Sequence, residues 1–163
     1  MSTDLFTQHD GQLLFDDLNY CASVRAELQL HIVTADRALV NEAVDEVEIP
    51  GAAGYFGVLP GHTPLLAALG AGELWYRRGQ DTHYLALAFG FAEVQPDQVT
   101  ILAQIAERPD EIDIRRAEAA RRRAEERITR LAVDMDAERA RIALMKSLIR
   151  LQVASRASGR QSR

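Results

Sequence analysis

The hydrophobic periodicity of the chain changes near Pro109, and this change constrains the fold more than any other feature. Before Pro109, stretches such as "LQLHIVT" and "VTILAQI" alternate apolar and polar residues, which is typical of half-buried β-strands. After it, "IDIRRAEAARRRAEERITRL" contains no glycine or proline and is rich in alanine, glutamate and arginine, which favour helices. The sequence therefore predicts a β unit followed by an α unit.

The charge of the chain changes at the same point. Residues 1–110 carry 5 basic and 16 acidic residues, a net charge of −11, whereas residues 111–163 carry 14 and 8, a net charge of +6. We therefore place a boundary here. The predicted segments are an N-terminal extension to which we assign no function (1–26), a β-sandwich domain (27–110), a helical hairpin (111–155) and a polar tail (156–163).

Each unit has a pattern that narrows its architecture. In the first, turn signals such as "LPGH", "RRGQD" and "QPDQ" separate short strands, which indicates an antiparallel sandwich or barrel. In the second, Ala117 and Ala124 follow helical spacing along one face, and Ala140, Leu144 and Leu148 form a stripe on the next helix. Because the link between them is short, we expect the two helices to pack as an antiparallel hairpin.

No constellation of residues indicates catalysis. The four histidines lack metal-ligand spacing, and the single cysteine, Cys21, cannot form an intrachain disulfide or a structural zinc site. Neither a G-x-S-x-G nucleophile elbow nor a G-x-x-x-x-G-K-[ST] phosphate loop is present. We predict a protein that is not an enzyme and that holds no metal. An acidic N-terminus and the lack of an apolar run of ~20 residues predict neither a secretory signal nor a membrane-spanning helix.

The arginine-rich helix raises one alternative. "RRAEAARRRAEERITR" could contact phosphates of a nucleic acid. However, Arg121 with Glu125 and Arg122 with Glu126 are i,i+4 pairs of opposite sign, and no aromatic residue interrupts the arginines. The pattern is therefore also that of a solvated helix face, and we expect no nucleic acid partner. A free-standing sandwich and hairpin module that binds an acidic protein or nucleic acid remains the alternative hypothesis.

Three motifs in the first unit match a known family. The segment "GYFGVLPGHTPLL" (54–66) fits the pattern G-x-x-G-V-L-P-G-H-x-P-L-L, and "GFAEV" (90–94) and "VTILA" (99–103) follow it. The chain resembles the epsilon subunit of F-type ATP synthase from about residue 27 to about residue 154. The resemblance implies a ten-stranded β-sandwich followed by a two-helix hairpin. The first 26 residues have no counterpart in the family pattern.

The resemblance also implies a function and a set of partners. Such a chain is a non-catalytic rotor subunit of the central stalk, which couples proton translocation to ATP synthesis and restrains ATP hydrolysis through its C-terminal helices. Its partners are the gamma subunit and the membrane rotor ring, and the catalytic alpha and beta subunits when the helices extend. It lies peripherally at the cytoplasmic face of the bacterial cell membrane.

The glycine-rich stretch 52–74 is interpreted in the same way. Its glycines and two prolines are typical of tight turns at one end of a sandwich. The resemblance implies that this end faces the rotor ring and the foot of the gamma subunit. The residues predicted at this interface are Tyr55, Phe56, Gly57, Gly61 and His62. Tyr55 departs from the family, because many relatives carry a polar or acidic residue there.

The start of the first helix carries a second family motif. "IDIRRA" (112–117) matches the [I/L]-D-x-x-R-A signature of nucleotide-binding members, which implies that ATP is a regulatory ligand and not a required cofactor. The resemblance assigns Arg116 to phosphate and Asp113 to adenine, and Glu107 matches a further polar contact. The predicted nucleotide-binding residues are Ile112, Asp113, Arg116, Ala117, Arg123, Lys146 and Arg150.

Two expectations follow for this motif. One is structural, with Asp113 as the N-cap of the helix and the arginines as solvent charges. The other concerns the four cations among the predicted residues, which are Arg116, Arg123, Lys146 and Arg150. A closed hairpin would bring them together, which is unfavourable until a polyanion binds between them. Lys146 stands where nucleotide-binding members have arginine, and a lysine lacks the planar fork of arginine.

Overall fold

Seven strands and two helices make up the part of the chain that the structure describes. The computed structural model describes residues 27–130 and 135–160, so the predicted extension 1–26 and the end of the predicted polar tail lie outside it. The strands are β1 (Leu28–Val33), β2 (Ala38–Val44), β3 (Glu46–Gly51), β4 (Gly54–Val58), β5 (Leu65–Arg78), β6 (Asp81–Val94) and β7 (Gln98–Glu107). A 3₁₀ turn (Pro109–Glu111) leads to helices α1 (Ile114–Arg130) and α2 (Met135–Arg160).

The strands form one hydrogen-bonded sheet that folds over onto itself. Its order is β2-β1-β7-β6-β5-β3-β4, and every neighbouring pair is antiparallel except β1 and β7, which are parallel. Val40 of β2 and Val58 of β4 lie at opposite edges of the sheet, yet both belong to one buried core. The hydroxyl of Tyr76 in β5 donates a 2.7 Å hydrogen bond to Glu42 in β2, which links the two layers. The predicted β-sandwich is confirmed.

The strand count of seven differs from the ten that the resemblance implied. In β6, the core-facing residues change from odd numbers, as at Leu87, to even numbers, as at Ala92, and Phe89 and Gly90 between them both have positive φ. The same change occurs in β5 and β7. These three strands therefore pass from one layer to the other without a break, and counting each layer separately gives the larger number.

The hairpin packs on the outside of the sandwich through α2. Ile149 and Val153 of α2 are buried against Ala86 of β6, with Tyr84 partly buried at their side. Because alternate residues of a strand face opposite sides, Ala86 contacts the helix while its neighbours Leu85 and Leu87 fill the sandwich core. Helix α1 contacts α2. The predicted two-helix hairpin is confirmed.

Two details of the predicted helices are wrong. Leu148, predicted in the apolar stripe, is 46% exposed, whereas the next residue, Ile149, is buried. The reason is that α2 packs against both α1 and the sheet, so its buried surface is wider than one stripe and is rotated toward β6. Residues 156–160, predicted to lie in the polar tail, continue α2. Arg156 is held there by contacts with Glu73 and Tyr84 on the sandwich.

Gly90→Ala tests whether the bend in β6 is a fixed constraint. Gly90 has a φ of 131°, and a Cβ atom built there would lie 2.0 Å from the carbonyl oxygen of Leu102. We expect the substitution to lower the free energy of unfolding by about 2–4 kcal/mol, since it adds both strain and overpacking. Denaturant unfolding measures the change. Gly57→Ala is the control, because a Cβ there meets no atom within 4 Å. Equal stability of the two variants would contradict the bend as described.

Candidate functional site

The predicted nucleotide-binding residues line one cleft, with one exception. The cleft has a volume of about 350 Å³ and lies where the end of β7, the 3₁₀ turn, the start of α1 and the middle of α2 meet. Its lining residues are Glu107, Glu111, Ile112, Asp113, Arg116, Ala117, Ala120, Arg123 and Arg150. Side chains far apart in the sequence, on two helices and a strand, are thus brought to a single site.

Lys146 is the exception. Its Nζ atom lies 5.1 Å from the centre of the Phe89 ring, in a cation–π contact with the bend of β6. It borders a different and much smaller pocket, beside Ile149 and Ala88. Arg150 is one helical turn further along and does reach the cleft. The structure therefore does not place Lys146 with the other predicted nucleotide-binding residues.

Asp113 caps helix α1. Its Oδ1 atom accepts a 3.0 Å hydrogen bond from the backbone N–H of Arg116, and its carbonyl oxygen accepts one of 2.9 Å from the N–H of Ala117. This is the geometry of an N-cap, which satisfies backbone donors that a helix start leaves unpaired. The structural interpretation of Asp113 is therefore correct. The cap also orients the first turn of α1, and with it the Arg116 side chain, toward the cleft.

Two of the acidic residues in the cleft are already paired. Glu107 accepts hydrogen bonds of 2.6 and 2.9 Å from the Arg150 guanidinium, and this bidentate pair raises the pKa of Arg150 further. The Glu111 carboxylate accepts a hydrogen bond from the backbone N–H of Arg108 and forms an ion pair with the guanidinium of Arg37. Both contacts hold the pKa of Glu111 below its usual range. These pairs tie α2 and the helix junction to the sandwich.

The charges in the cleft differ from those expected for four mutually repelling cations. Lys146 lies elsewhere, and Glu107 neutralises Arg150 from within the protein. Within residues 27–130 and 135–160, the guanidinium groups of Arg116 and Arg123 form no hydrogen bond or ion pair. The expectation of an unfavourable four-cation cluster is wrong, and the cleft instead presents two unpaired guanidinium groups to an incoming anion.

The predicted rotor interface is divided by the structure. Gly61 and His62 lie in the turn before β5, where the N–H of Gly61 donates to the carbonyl of Pro96. Tyr55 lies near the opposite end of the five-residue strand β4, where its hydroxyl accepts a hydrogen bond from the N–H of Glu73. Phe56 packs against the sandwich core between them. The assignment of these residues and Gly57 to the rotor interface stays a prediction.

An exposed apolar strip lies on the sandwich and was not predicted from the sequence. It consists of Leu66, Ala68, Phe91 and Leu102, which share one face of three paired strands. Leu66, Phe91 and Leu102 are 73%, 58% and 57% exposed, although all three are large apolar residues. The local signal in the sequence was the alternation in "GFAEV". It predicts that Phe91 faces away from the core, but only if one already knows that the core-facing positions change at Gly90.

Among the described residues, no group of three or more histidine, cysteine, aspartate and glutamate side chains is arranged to hold a metal ion. In the same part of the chain, neither helix combines the length and the hydropathy that crossing a bilayer demands.

Comparisons with known proteins agree with the division of the chain. The family described as ATP synthase, Delta/Epsilon chain, beta-sandwich domain matches residues 27–109, and its long alpha-helix domain matches residues 110–155. The ATP synthase epsilon chain of Koribacter versatilis is 53% identical over 100 residues, which cover 61% of this chain and 70% of that one. Epsilon chain 2 of Syntrophotalea carbinolica is 46% identical over 131 residues, or 80% and 95% of the two chains.

A solved structure shares the fold. A chain in the Euglena gracilis mitochondrial ATP synthase, solved with its c-ring, aligns over 94% of this chain and 99% of its own length. Its TM-score is 0.60 and its sequence identity is 21%. The family matches disfavour a free-standing module. The chain belongs to the ATP synthase delta/epsilon chain family and is a non-catalytic epsilon subunit of F-type ATP synthase.

Proposed function

We propose that the two-helix hairpin is a nucleotide-sensing element that binds ATP when docked and restrains ATP hydrolysis when extended toward the catalytic alpha and beta subunits. The observation that carries this proposal is the cleft, where Arg116 and Arg123 of α1 meet Arg150 of α2. A triphosphate is a polyanion, and guanidinium groups bind phosphate oxygens through charge-assisted, planar hydrogen bonds. The apolar lining of the cleft, Ala117 and Ala120, offers a surface for the adenine ring.

The cleft can bind ATP strongly only while the hairpin is docked. Arg150 is carried by α2, and Arg116 is carried by α1, so extension of the hairpin, in which α2 leaves both α1 and the sandwich, separates them. A ligand shifts a conformational equilibrium by as much as its affinities for the two states differ. ATP therefore favours the docked hairpin, and low ATP favours the extended hairpin that contacts alpha and beta. This arrangement would prevent hydrolysis when ATP is scarce.

The sandwich supplies the attachment to the rotor. The strip of Leu66, Ala68, Phe91 and Leu102 is an exposed apolar surface, and such surfaces typically mark protein interfaces. We assign it to the gamma subunit. The turn that holds Gly61 and His62 is assigned to the membrane rotor ring, as the family resemblance implies. Attached in this way, the subunit would lie peripherally at the cytoplasmic face of the cell membrane and couple proton translocation to ATP synthesis.

Arg116→Ala tests the ATP site. We expect the dissociation constant of ATP, measured by calorimetry on the isolated chain, to rise about tenfold or more, because a hydrogen bond to a charged group contributes about 1.5–3 kcal/mol. Arg122→Ala is the matched control, since Arg122 is an exposed arginine of the same helix that does not line the cleft. Identical ATP affinity in the wild type and both variants would contradict the proposal.

Phe91→Ser tests the assignment of the strip. Phe91 is 58% exposed, so its loss should barely change the stability of the sandwich, whereas an aromatic residue at the centre of an interface commonly contributes about 2 kcal/mol or more. We expect the gamma subunit to bind this variant at least about tenfold more weakly in titrations of the purified subunits. Leu148→Ser, at an exposed leucine of α2, serves as the control and should bind gamma normally. Normal binding by Phe91→Ser would remove the strip from the interface.

A further inference from the structure

Glu73 is a carboxylate whose burial the nucleotide cleft does not explain. It lies in β5 with only 7% of its surface exposed, and it is the one buried charged residue among those the structure describes. Its side chain points to the outer face of the sheet, since the next residue, Leu74, fills the sandwich core. Burying a charge is costly unless the charge is paired and hydrogen-bonded. Glu73 therefore depends on a partner.

The partner comes from the far end of α2. Arg156 donates hydrogen bonds to both oxygens of Glu73, from Nη2 to Oε1 at 3.0 Å and from Nε to Oε2 at 3.2 Å. Its Cζ atom also lies 4.8 Å from the centre of the Tyr84 ring. The Glu73 carboxylate raises the pKa of Arg156 further. A planar guanidinium is thus paired at its edge and stacked on one face, a combination that a lysine ammonium cannot reproduce.

The surroundings of this pair form a receptor for a guanidinium group. A pocket of about 320 Å³ is lined by Glu48, Tyr55, Glu73, Trp75, Tyr84, Gln152 and Arg156. Apart from Arg156, its charged residues are acidic, and three of its other residues are aromatic. The hydroxyl of Tyr55 accepts the backbone N–H of Glu73, which fixes this part of β5. The sandwich therefore builds most of the receptor, Gln152 of α2 completes it when the helix is docked, and α2 also supplies the cation.

We infer that this pocket is a guanidinium-binding site that locks the C-terminal half of α2 onto the sandwich without nucleotide. Arg156 lies six residues beyond Arg150, or about 9 Å along the helix, so the lock and the cleft are separate contacts of one helix. Val153, which makes part of the apolar contact with β6, lies between them along the helix. The lock sets the fraction of hairpin that is docked in the absence of ATP, and ATP raises this fraction further. Because it needs no nucleotide, it holds or fails independently of the ATP proposal.

Amide hydrogen exchange of the full-length chain without nucleotide tests the lock. Release of α2 removes the packing that protects its buried face, so exchange at the amides of residues 149–154 reports undocking. We expect Arg156→Ala to speed this exchange about tenfold, the effect of losing about 1.4 kcal/mol of docking free energy. Arg156→Lys should give an intermediate rate. Amides of Ile32 and Ile101 in the sandwich core should be unaffected, which separates release from global unfolding.

Two further arms make the test specific. Arg141→Ala is the matched control, since Arg141 is an exposed arginine of α2 whose ion pair is with Glu138 of the same helix, and it should leave exchange unchanged. N-ethylguanidinium, added well below denaturing concentration, should slow exchange in Arg156→Ala, because the pocket that it occupies is completed by Gln152 only when α2 is docked, and it should have no effect on Glu73→Gln. Equal rates for Arg156→Ala and Arg141→Ala would overturn the lock. Faster exchange of the core amides by the same factor would also overturn it.

Discussion

The packing of α2 against the outer face of β6 is the contact on which the rest of the structure depends. Val153 is fully buried there and Ile149 nearly so, both against Ala86. Burial of such aliphatic side chains contributes roughly 1.5–3 kcal/mol each, so this small patch supplies most of the apolar attachment of the hairpin. Helix α1 contacts the sandwich mainly through α2 and the 3₁₀ turn. Release of α2 would therefore disassemble the nucleotide cleft and free both helices together.

Ion pairs fix the position in which the hairpin docks, and each adds a modest free energy to docking. Arg150 pairs with Glu107 at one end of the apolar patch, and Arg156 pairs with Glu73 at the other. Each arginine remains partly exposed, so solvent screening limits the net energy of each pair. Their geometry nevertheless fixes the rotation and the axial position of α2. A hairpin held by a small apolar patch and two solvent-screened pairs is well suited to reversible release.

The sequence predicted local features well and long-range ones poorly. The spacing of Asp113, Arg116 and Arg123 follows from helical periodicity, and the structure places all three in one cleft. Lys146 shares its helix face with Arg150 by the same periodicity, but its ammonium group lies over the Phe89 ring at the bend of β6. No local sequence pattern predicts this contact. The Glu73–Arg156 pair joins residues 83 positions apart, and its arginine fell in the predicted tail. Such pairs depend on how two elements dock.

The distance between the sandwich and α2, followed as ATP is added to the assembled enzyme, tests the central claim most directly. Donor and acceptor dyes at Gln80→Cys and Glu138→Cys, both at exposed positions, would be placed in a chain whose native cysteine is removed by Cys21→Ser. The account predicts that ATP raises the docked fraction and that Arg116→Ala shifts this response to higher ATP. A docked fraction that stays constant while ATP demonstrably occupies the cleft would contradict it, because binding would then not favour either state.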